Sequence, residues 1–118
     1  MKIVIINYGA GNIQSIMFAI ERLGYKAVLS NNPEEIKAAD KVIFPGVGEA
    51  SYAMKMLQES GLDTLIPTLK HPVLGICLGM QLMCQSSEEG NTKGLGIFDV
   101  DVVKFSSKVK VPQMGWNT

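Results

Sequence analysis

His71-Pro72-Val73-Leu74-Gly75-Ile76-Cys77-Leu78-Gly79-Met80-Gln81 runs from a proline through a short apolar segment to a cysteine with glycine two places to either side, and then turns helical. A strand that enters a helix through Gly-x-Cys-x-Gly predicts a sharp turn carrying the cysteine, because glycines at those places leave room for strained backbone and for close approach of a substrate. Cys77 then stands at the start of the following helix, where unpaired N–H groups and the helix dipole favour thiolate over thiol. The backbone N–H of Leu78 points at the same spot and is a candidate oxyanion donor. A buried cysteine at a tight strand-to-helix joint would read the same way, since cysteine is among the most buried residue types. The surrounding chain has to separate the two.

On either side of this stretch, strand and helix signals alternate. Residues 2–6 read as one strand, β-branched without a break from Ile3 to Ile6 as in a strand buried on both faces, and Tyr8-Gly9-Ala10-Gly11-Asn12 breaks it. Ile13, Ile16, Met17, Ile20 and Leu23 recur at helical spacing, with Asn12 placed to cap the start and Gly24 to end the helix. Residues 26–29 predict a second strand, 33–38 a short helix, and Val42-Ile43-Phe44 a third strand that ends at Pro45-Gly46-Val47-Gly48. Ala50, Ala53, Met54 and Leu57 mark another apolar stripe closed by Gly61, and Leu62, Leu65, Ile66 and Leu69 a further short helical piece. Val73 to Ile76 is the fourth strand. Cys77 and Cys84 are read on one helix after it, with Met80, Met83 and Cys84 toward the core and Glu88 and Glu89 at its solvated end. From Gly94 to Phe105 the pattern is that of an extended pair or edge segment, followed by the loop Pro112-Gln113-Met114-Gly115-Trp116-Asn117.

This alternation predicts an α/β fold: an open, mostly parallel sheet with helices on both faces, in which ligands bind at the carboxyl ends of the strands. Three glycine-rich breaks fall there, after strands one, three and four, so a loop of small residues beside Cys77 can supply a second backbone N–H to an oxyanion. The first of them does not make a dinucleotide site. Gln14 stands where the third glycine of that fingerprint belongs, and Ser30-Asn31-Asn32 where the ribose needs an acid.

Composition narrows the function further. With 118 residues and 47% of them hydrophobic, the chain has the size of one domain. Eleven basic and eleven acidic residues cancel, which argues against nucleic acid or an anionic membrane as partner. No apolar run approaches the roughly 18 residues of a membrane span, and Met1–Asn7 reads as a strand rather than a signal peptide, so a cytoplasmic location is expected. On one helix the two cysteines would be separated by a rise of roughly 10 Å, too far for a disulfide, and one histidine without Cys-x-x-Cys spacing gives no zinc site. Free thiols, no metal and no cofactor are expected.

Asn7-Tyr8-Gly9-Ala10-Gly11-Asn12, Pro45-Gly46-Val47-Gly48, Gly75-Ile76-Cys77-Leu78-Gly79-Met80-Gln81 and Pro112-Gln113-Met114-Gly115-Trp116-Asn117 together resemble the triad-type (class I) glutamine amidotransferases, whose fold is flavodoxin-like. The cysteine elbow is shared across that class. The opening motif and the Met-Gly-Trp-Asn ending resemble in particular the glutaminase subunits of imidazole glycerol phosphate synthases of histidine biosynthesis. The resemblance implies hydrolysis of glutamine to glutamate and ammonia, with ammonia passed to a (β/α)8-barrel cyclase subunit as partner. It implies that Cys77 forms a glutamyl thioester, that Gly46, Val47 and Gly48 with the N–H of Leu78 form the oxyanion hole, and that Gln81 binds the substrate glutamine. Asn12, Met114 and Trp116 would face the partner.

The chain departs from that pattern in two ways. The family's base is a histidine oriented by a glutamate in the second half of a domain of about two hundred residues, so residues 1–118 are expected to be the N-terminal portion of a single amidotransferase domain, inactive alone, with an open sheet edge and one apolar face uncovered. His71 precedes the fourth strand, and six extended residues place it about 20 Å from Cys77, out of reach as a base. The second departure is Gln113, where the resemblance leads one to expect histidine. The alternative from a different class is a cysteine-elbow α/β protein without hydrolytic activity, serving as a redox sensor or binding module.

Overall fold

The computed structural model describes residues 1–9, 11–87 and 92–103. The β-branched run at the start becomes β1 (Ile3–Ile6), buried along its whole length. It lies between β2 (Ala27–Ser30) and β3 (Lys41–Phe44), and β4 (Val73–Gly75) pairs beyond β3. All three pairings are parallel, in the order β2-β1-β3-β4, so the direction of winding reverses between β1 and β3. Five helices connect and flank these strands: α1 (Ile13–Arg22), α2 (Pro33–Lys37), α3 (Ala50–Ser60), α4 (Leu62–Leu65), which runs on into a 3-10 turn at Ile66–Thr68, and α5 (Leu78–Leu82).

Because side chains alternate along a strand, each of these short runs serves two cores. Val4, Ile6, Val42 and Phe44 pack on one face against Ala50, Ala53 and Leu57 of α3, Leu62 and Leu65 of α4, and Leu78 and Leu82 of α5. Ile3 and Ile5 pack on the other against Ile20 of α1, joined by Ile16, Met17 and Ile43. The helix ends follow local chemistry. Gly61 closes α3 at φ 75°, a left-handed position that glycine takes without a Cβ clash. Asn32 caps α2 by accepting from the Glu34 N–H at 2.9 Å, with Pro33 in the first turn.

Three expectations about local structure are corrected. Asn12 occupies the N-cap position of α1, but its side chain makes no capping bond; the Ser15 hydroxyl donates to the Asn12 carbonyl instead. The helix after Cys77 is only five residues long, and Cys84 does not lie on it. Cys84 opens β5 (Cys84–Ser87), which pairs antiparallel with β6 (Thr92–Lys93) and parallel with β7 (Phe98–Val102) in a second sheet ordered β6-β5-β7. The returning chain stops the helix: Leu95, Phe98 and Gly96 donate their N–H groups to the carbonyls of Leu82, Met83 and Cys84, closing the carbonyls at the end of α5. Both cysteines are free thiols. Met80 is 51% exposed rather than in the core, whereas Met83 and Cys84 are buried. Glu88 and Glu89 lie outside the described residues.

Among the described residues β4 pairs with β3 alone, and the cluster that α1 covers takes in residues of β1, β2 and β3 but none of β4. Leu74 is 59% exposed there, on a groove of about 390 Å³ lined by Ile3, Ile43, Pro72 and Val73 among others. An apolar strip of this kind beside an open sheet edge is a site of association. We expect Leu74→Ser to leave the unfolding free energy of the 118-residue chain within about 0.5 kcal/mol of wild type while lowering its self-association in sedimentation. Leu57→Ala, in the closed core, is expected to lower stability by about 2–5 kcal/mol in urea titration.

Candidate active site

Cys77 follows β4 and stands beside the carboxyl end of β3. Its backbone stands at φ 53°, ψ −121°, and among the described residues it is the one non-glycine with positive φ. Such a conformation costs on the order of 1–3 kcal/mol and persists only where the surroundings enforce it. They do so here through glycines. A Cβ on Gly79 would collide with the Phe44 carbonyl; one on Gly46 would lie 2.7 Å from the Gly79 nitrogen and 2.9 Å from the Leu78 Cβ. One on Gly75 would lie 2.6 Å from the Met83 sulfur and 2.8 Å from the Met80 Cα. Backbone therefore packs on backbone between the end of β3 and the start of α5. Cys77 itself is left exposed at the turn.

Hydrogen bonds fasten the same contact. Ile76 N–H donates to the Phe44 carbonyl at 3.0 Å, Gly79 N–H to Ile76 at 2.9 Å, and Gln81 N–H to Cys77 at 3.2 Å. Leu78 N–H, expected to serve an oxyanion, donates to the Gly46 carbonyl at 3.1 Å. In this conformation the carbonyl of the small-residue loop fills the position of an acceptor at the elbow. Gly46 is buried, whereas Val47 and Gly48 are exposed, Gly48 with φ 105°. Gln81 is half-buried one turn along α5 from Cys77.

Asn12 is exposed at the start of α1, and Gln113, Met114 and Trp116 lie outside the described residues. His71 is held at the opposite end of the sheet, just before β4. Its Nε2–H donates to the Ile36 carbonyl at 3.0 Å, and its Nδ1 is buried without a hydrogen-bond partner. It lies in the loop beside Pro72 that leads into β4. Among the described residues no group of three or more His, Cys, Asp and Glu side chains could hold a metal, and no helix is long and apolar enough to cross a membrane.

One residue of this cluster has no role in the sequence reading. Tyr8 follows β1, is 4% exposed, and donates its hydroxyl to the Pro45 carbonyl at 2.7 Å, with its ring 5.5 Å from that of Phe44. Burial pushes its phenol above the ordinary range, so it remains a donor at any pH near neutrality. The signal in the sequence is a tyrosine between an apolar strand and a glycine loop, where a ring can be buried while its hydroxyl reaches backbone.

A strained, exposed cysteine between a parallel strand and a helix has the strand-turn-helix form in which α/β hydrolases present a nucleophile. Residues 4–118 match the sequence model of the family "Glutamine amidotransferase class-I", and the chain belongs to that family. It is 60% identical over its whole length to "Imidazole glycerol phosphate synthase subunit HisH" of Bacteroides fragilis strain YCH46, spanning 62% of that protein. It is 55% identical to the subunit of the same name from Bacteroides thetaiotaomicron, again across all of this chain and 62% of the relative. A Methanococcus maripaludis protein named "Imidazole glycerol phosphate synthase subunit HisH 2" is 48% identical across 98% of this chain and 60% of its own length. The chain thus spans less than two thirds of these relatives. A solved structure described as "Crystal structure of glutamine amidotransferase" superposes with a TM-score of 0.71 at 21% identity, covering 85% of this chain and 55% of that one, which shows the shared fold.

Exposure separates the two thiols. Cys77 stands open at the turn, whereas Cys84 is buried and its Sγ lies 3.7 Å from the Met80 carbonyl. Timed alkylation with peptide mapping is expected to label Cys77 at least about tenfold faster than Cys84. Equal rates would remove the basis for treating Cys77 as the nucleophile.

Proposed function

We propose that this chain is the nucleophile-bearing, N-terminal portion of the glutaminase domain of an imidazole glycerol phosphate synthase. That domain hydrolyses glutamine, and the ammonia passes to a (β/α)8-barrel cyclase subunit that uses it on a phosphoribosyl-type nucleotide substrate in histidine biosynthesis. The observation that carries this reading is the strained, exposed backbone of Cys77 at the end of β4. The Cys77 thiolate attacks the side-chain amide carbon of glutamine, and its proton, held by a base, leaves with ammonia as the carbon–nitrogen bond breaks. Water then cleaves the thioester: its OH goes to the acyl carbon to give glutamate, and its proton passes through the base to the leaving thiolate and restores the thiol. The proton carrier is a histidine oriented by a glutamate, and we assign both to the part of the domain that the relatives have and these 118 residues do not span. His71, turned to the Ile36 carbonyl, does not serve.

The tetrahedral oxyanion is received by the N–H of Leu78 together with the Gly46-Val47-Gly48 loop. Since Leu78 N–H is bonded to the Gly46 carbonyl in the present conformation, that carbonyl yields when the oxyanion forms. Gln81, one turn along α5, contacts the substrate glutamine. Asn12, Met114 and Trp116 face the cyclase, so that the working enzyme is a cytoplasmic heterodimer whose synthase reaction is a lyase step fed by a hydrolase. A tryptophan in a glycine loop suits such an interface, because a large amphipathic ring gives much contact area at small entropic cost.

In the full-length chain with its cyclase, glutamine turnover is expected, and Cys77→Ala lowers it by at least about a thousandfold. The 118-residue chain alone is expected to release no ammonia. Turnover by that chain, lost on Cys77→Ala, would place the base within these residues; unchanged turnover in full-length Cys77→Ala would overturn the proposal.

A further inference from the structure

At the carboxyl end of β3 three consecutive carbonyls need donors after the regular ladder has run out. Phe44 accepts from Ile76 N–H and Gly46 from Leu78 N–H, both on the β4 side. The Pro45 carbonyl, which the alternation of an extended chain turns the other way, faces β1, and β1 ends at Ile6. Tyr8 supplies the donor from a side chain, its hydroxyl 2.7 Å from the Pro45 oxygen. The same hydroxyl lies 2.7 Å from where a Gly46 Cβ would stand, and a Cβ on Gly11 would lie 3.0 Å from the Pro45 Cβ. The loop at 45–48 is therefore held between the segment after β1 and the nucleophile turn.

We propose that Tyr8 is a positioning residue for the glutaminase reaction: its buried hydroxyl fixes the Pro45–Gly46 peptide, and through it the register of the Gly46–Gly48 loop against Cys77 and Leu78. The inference rests on the reading of that loop as the oxyanion site. Tyr8 touches neither the thiol nor the substrate in this role, so it governs stabilisation of the tetrahedral oxyanion and leaves thiol reactivity and glutamine binding alone. Its phenol stays protonated far above assay pH, so the hydrogen bond to Pro45 is present throughout the working range.

The test uses the full-length chain with its cyclase and compares two reactions of Cys77. Glutamine hydrolysis passes through an oxyanion; alkylation by iodoacetamide does not. In Tyr8→Phe we expect kcat for glutamine to fall about tenfold, a fraction of the hundredfold or more that follows loss of an oxyanion donor itself. KM and the iodoacetamide rate stay within twofold of wild type. Incorporation of 4-fluorophenylalanine at position 8, which fills the volume of the hydroxyl without donating, gives the same split and stands in where Tyr8→Phe does not fold. 4-Aminophenylalanine, which keeps a donor, restores kcat to within threefold. An unchanged kcat, or a parallel fall in the iodoacetamide rate, overturns the proposal, the latter by showing that Tyr8 merely supports the turn. Failure of the underlying reading is seen separately, as wild-type protein that does not hydrolyse glutamine or that keeps its activity in Cys77→Ala.

Discussion

Everything near Cys77 depends on one backbone contact: the start of α5 lies against the end of β3 so closely that a Cβ at Gly79 would occupy the space of the Phe44 carbonyl. No side chain fits between the two segments. With Gly46 and Gly75 similarly enclosed, the ends of β3 and β4 and the first turn of α5 behave as one block. The parallel pairing of Phe44 with Gly75 sets its register, and the Ile76 N–H bond to Phe44 carries that register one residue beyond the sheet. Any larger residue at 79 or 46 would push α5 away from β3, and the turn that presents Cys77 would open with it.

The strain at Cys77 is sustained by ordinary packing on either side. Leu78 and Leu82, on the inner face of α5, are 4% and 1% exposed against the core formed by Val4, Phe44 and Leu57. Burying two leucines returns about 1.5–3 kcal/mol each, comparable to or larger than the roughly 1–3 kcal/mol stored in one unfavourable φ/ψ pair. So short a helix would not hold its place by backbone propensity alone. It holds because its N-terminus is jammed against β3 and its carbonyl end is closed by Leu95 and Phe98 returning from the second sheet.

The sequence carried the sheet and the turn for a common reason: both are written in local pattern. A β-branched run of four, glycines flanking a cysteine and an apolar stripe ended by Gly61 each fix backbone within a few residues. What it did not carry depends on distant chain. Cys84 continues a helical pattern from Met80 and Met83, yet it forms a strand because Phe98 and Asp101 pair beside β5 and Leu95 caps α5 from thirteen residues beyond Leu82. Asn12 has the composition of a cap, but its side chain does not turn back onto the helix. Tyr8 reads as a residue of the glycine motif, and only the approach of β3 reveals that its hydroxyl substitutes for a ladder N–H. That the Leu78 N–H is taken by the Gly46 carbonyl was not legible, since the partner lies in another strand's loop.

That bond bears on how the proposed reaction discriminates between its states. A buried N–H left without an acceptor costs about 1–3 kcal/mol, so a resting site with Leu78 N–H aimed at empty space would be less stable than the one observed, in which Gly46 fills it. The exchange of acceptors also sets a threshold. A neutral glutamine amide offers Leu78 N–H a bond no better than the one it already makes to a neutral peptide carbonyl, and has nothing to gain by displacing Gly46. In the proposed reaction a tetrahedral oxyanion would offer a charge-assisted bond roughly twice as strong, enough to displace it. Stabilisation by this N–H would then be withheld from the bound substrate and delivered to the transition state, the condition under which binding energy raises kcat rather than lowering KM. The Pro45 carbonyl, held by Tyr8 on the other side of the strand, stays bonded while its neighbour exchanges partners, so the loop can release one acceptor without losing its place beside the nucleophile.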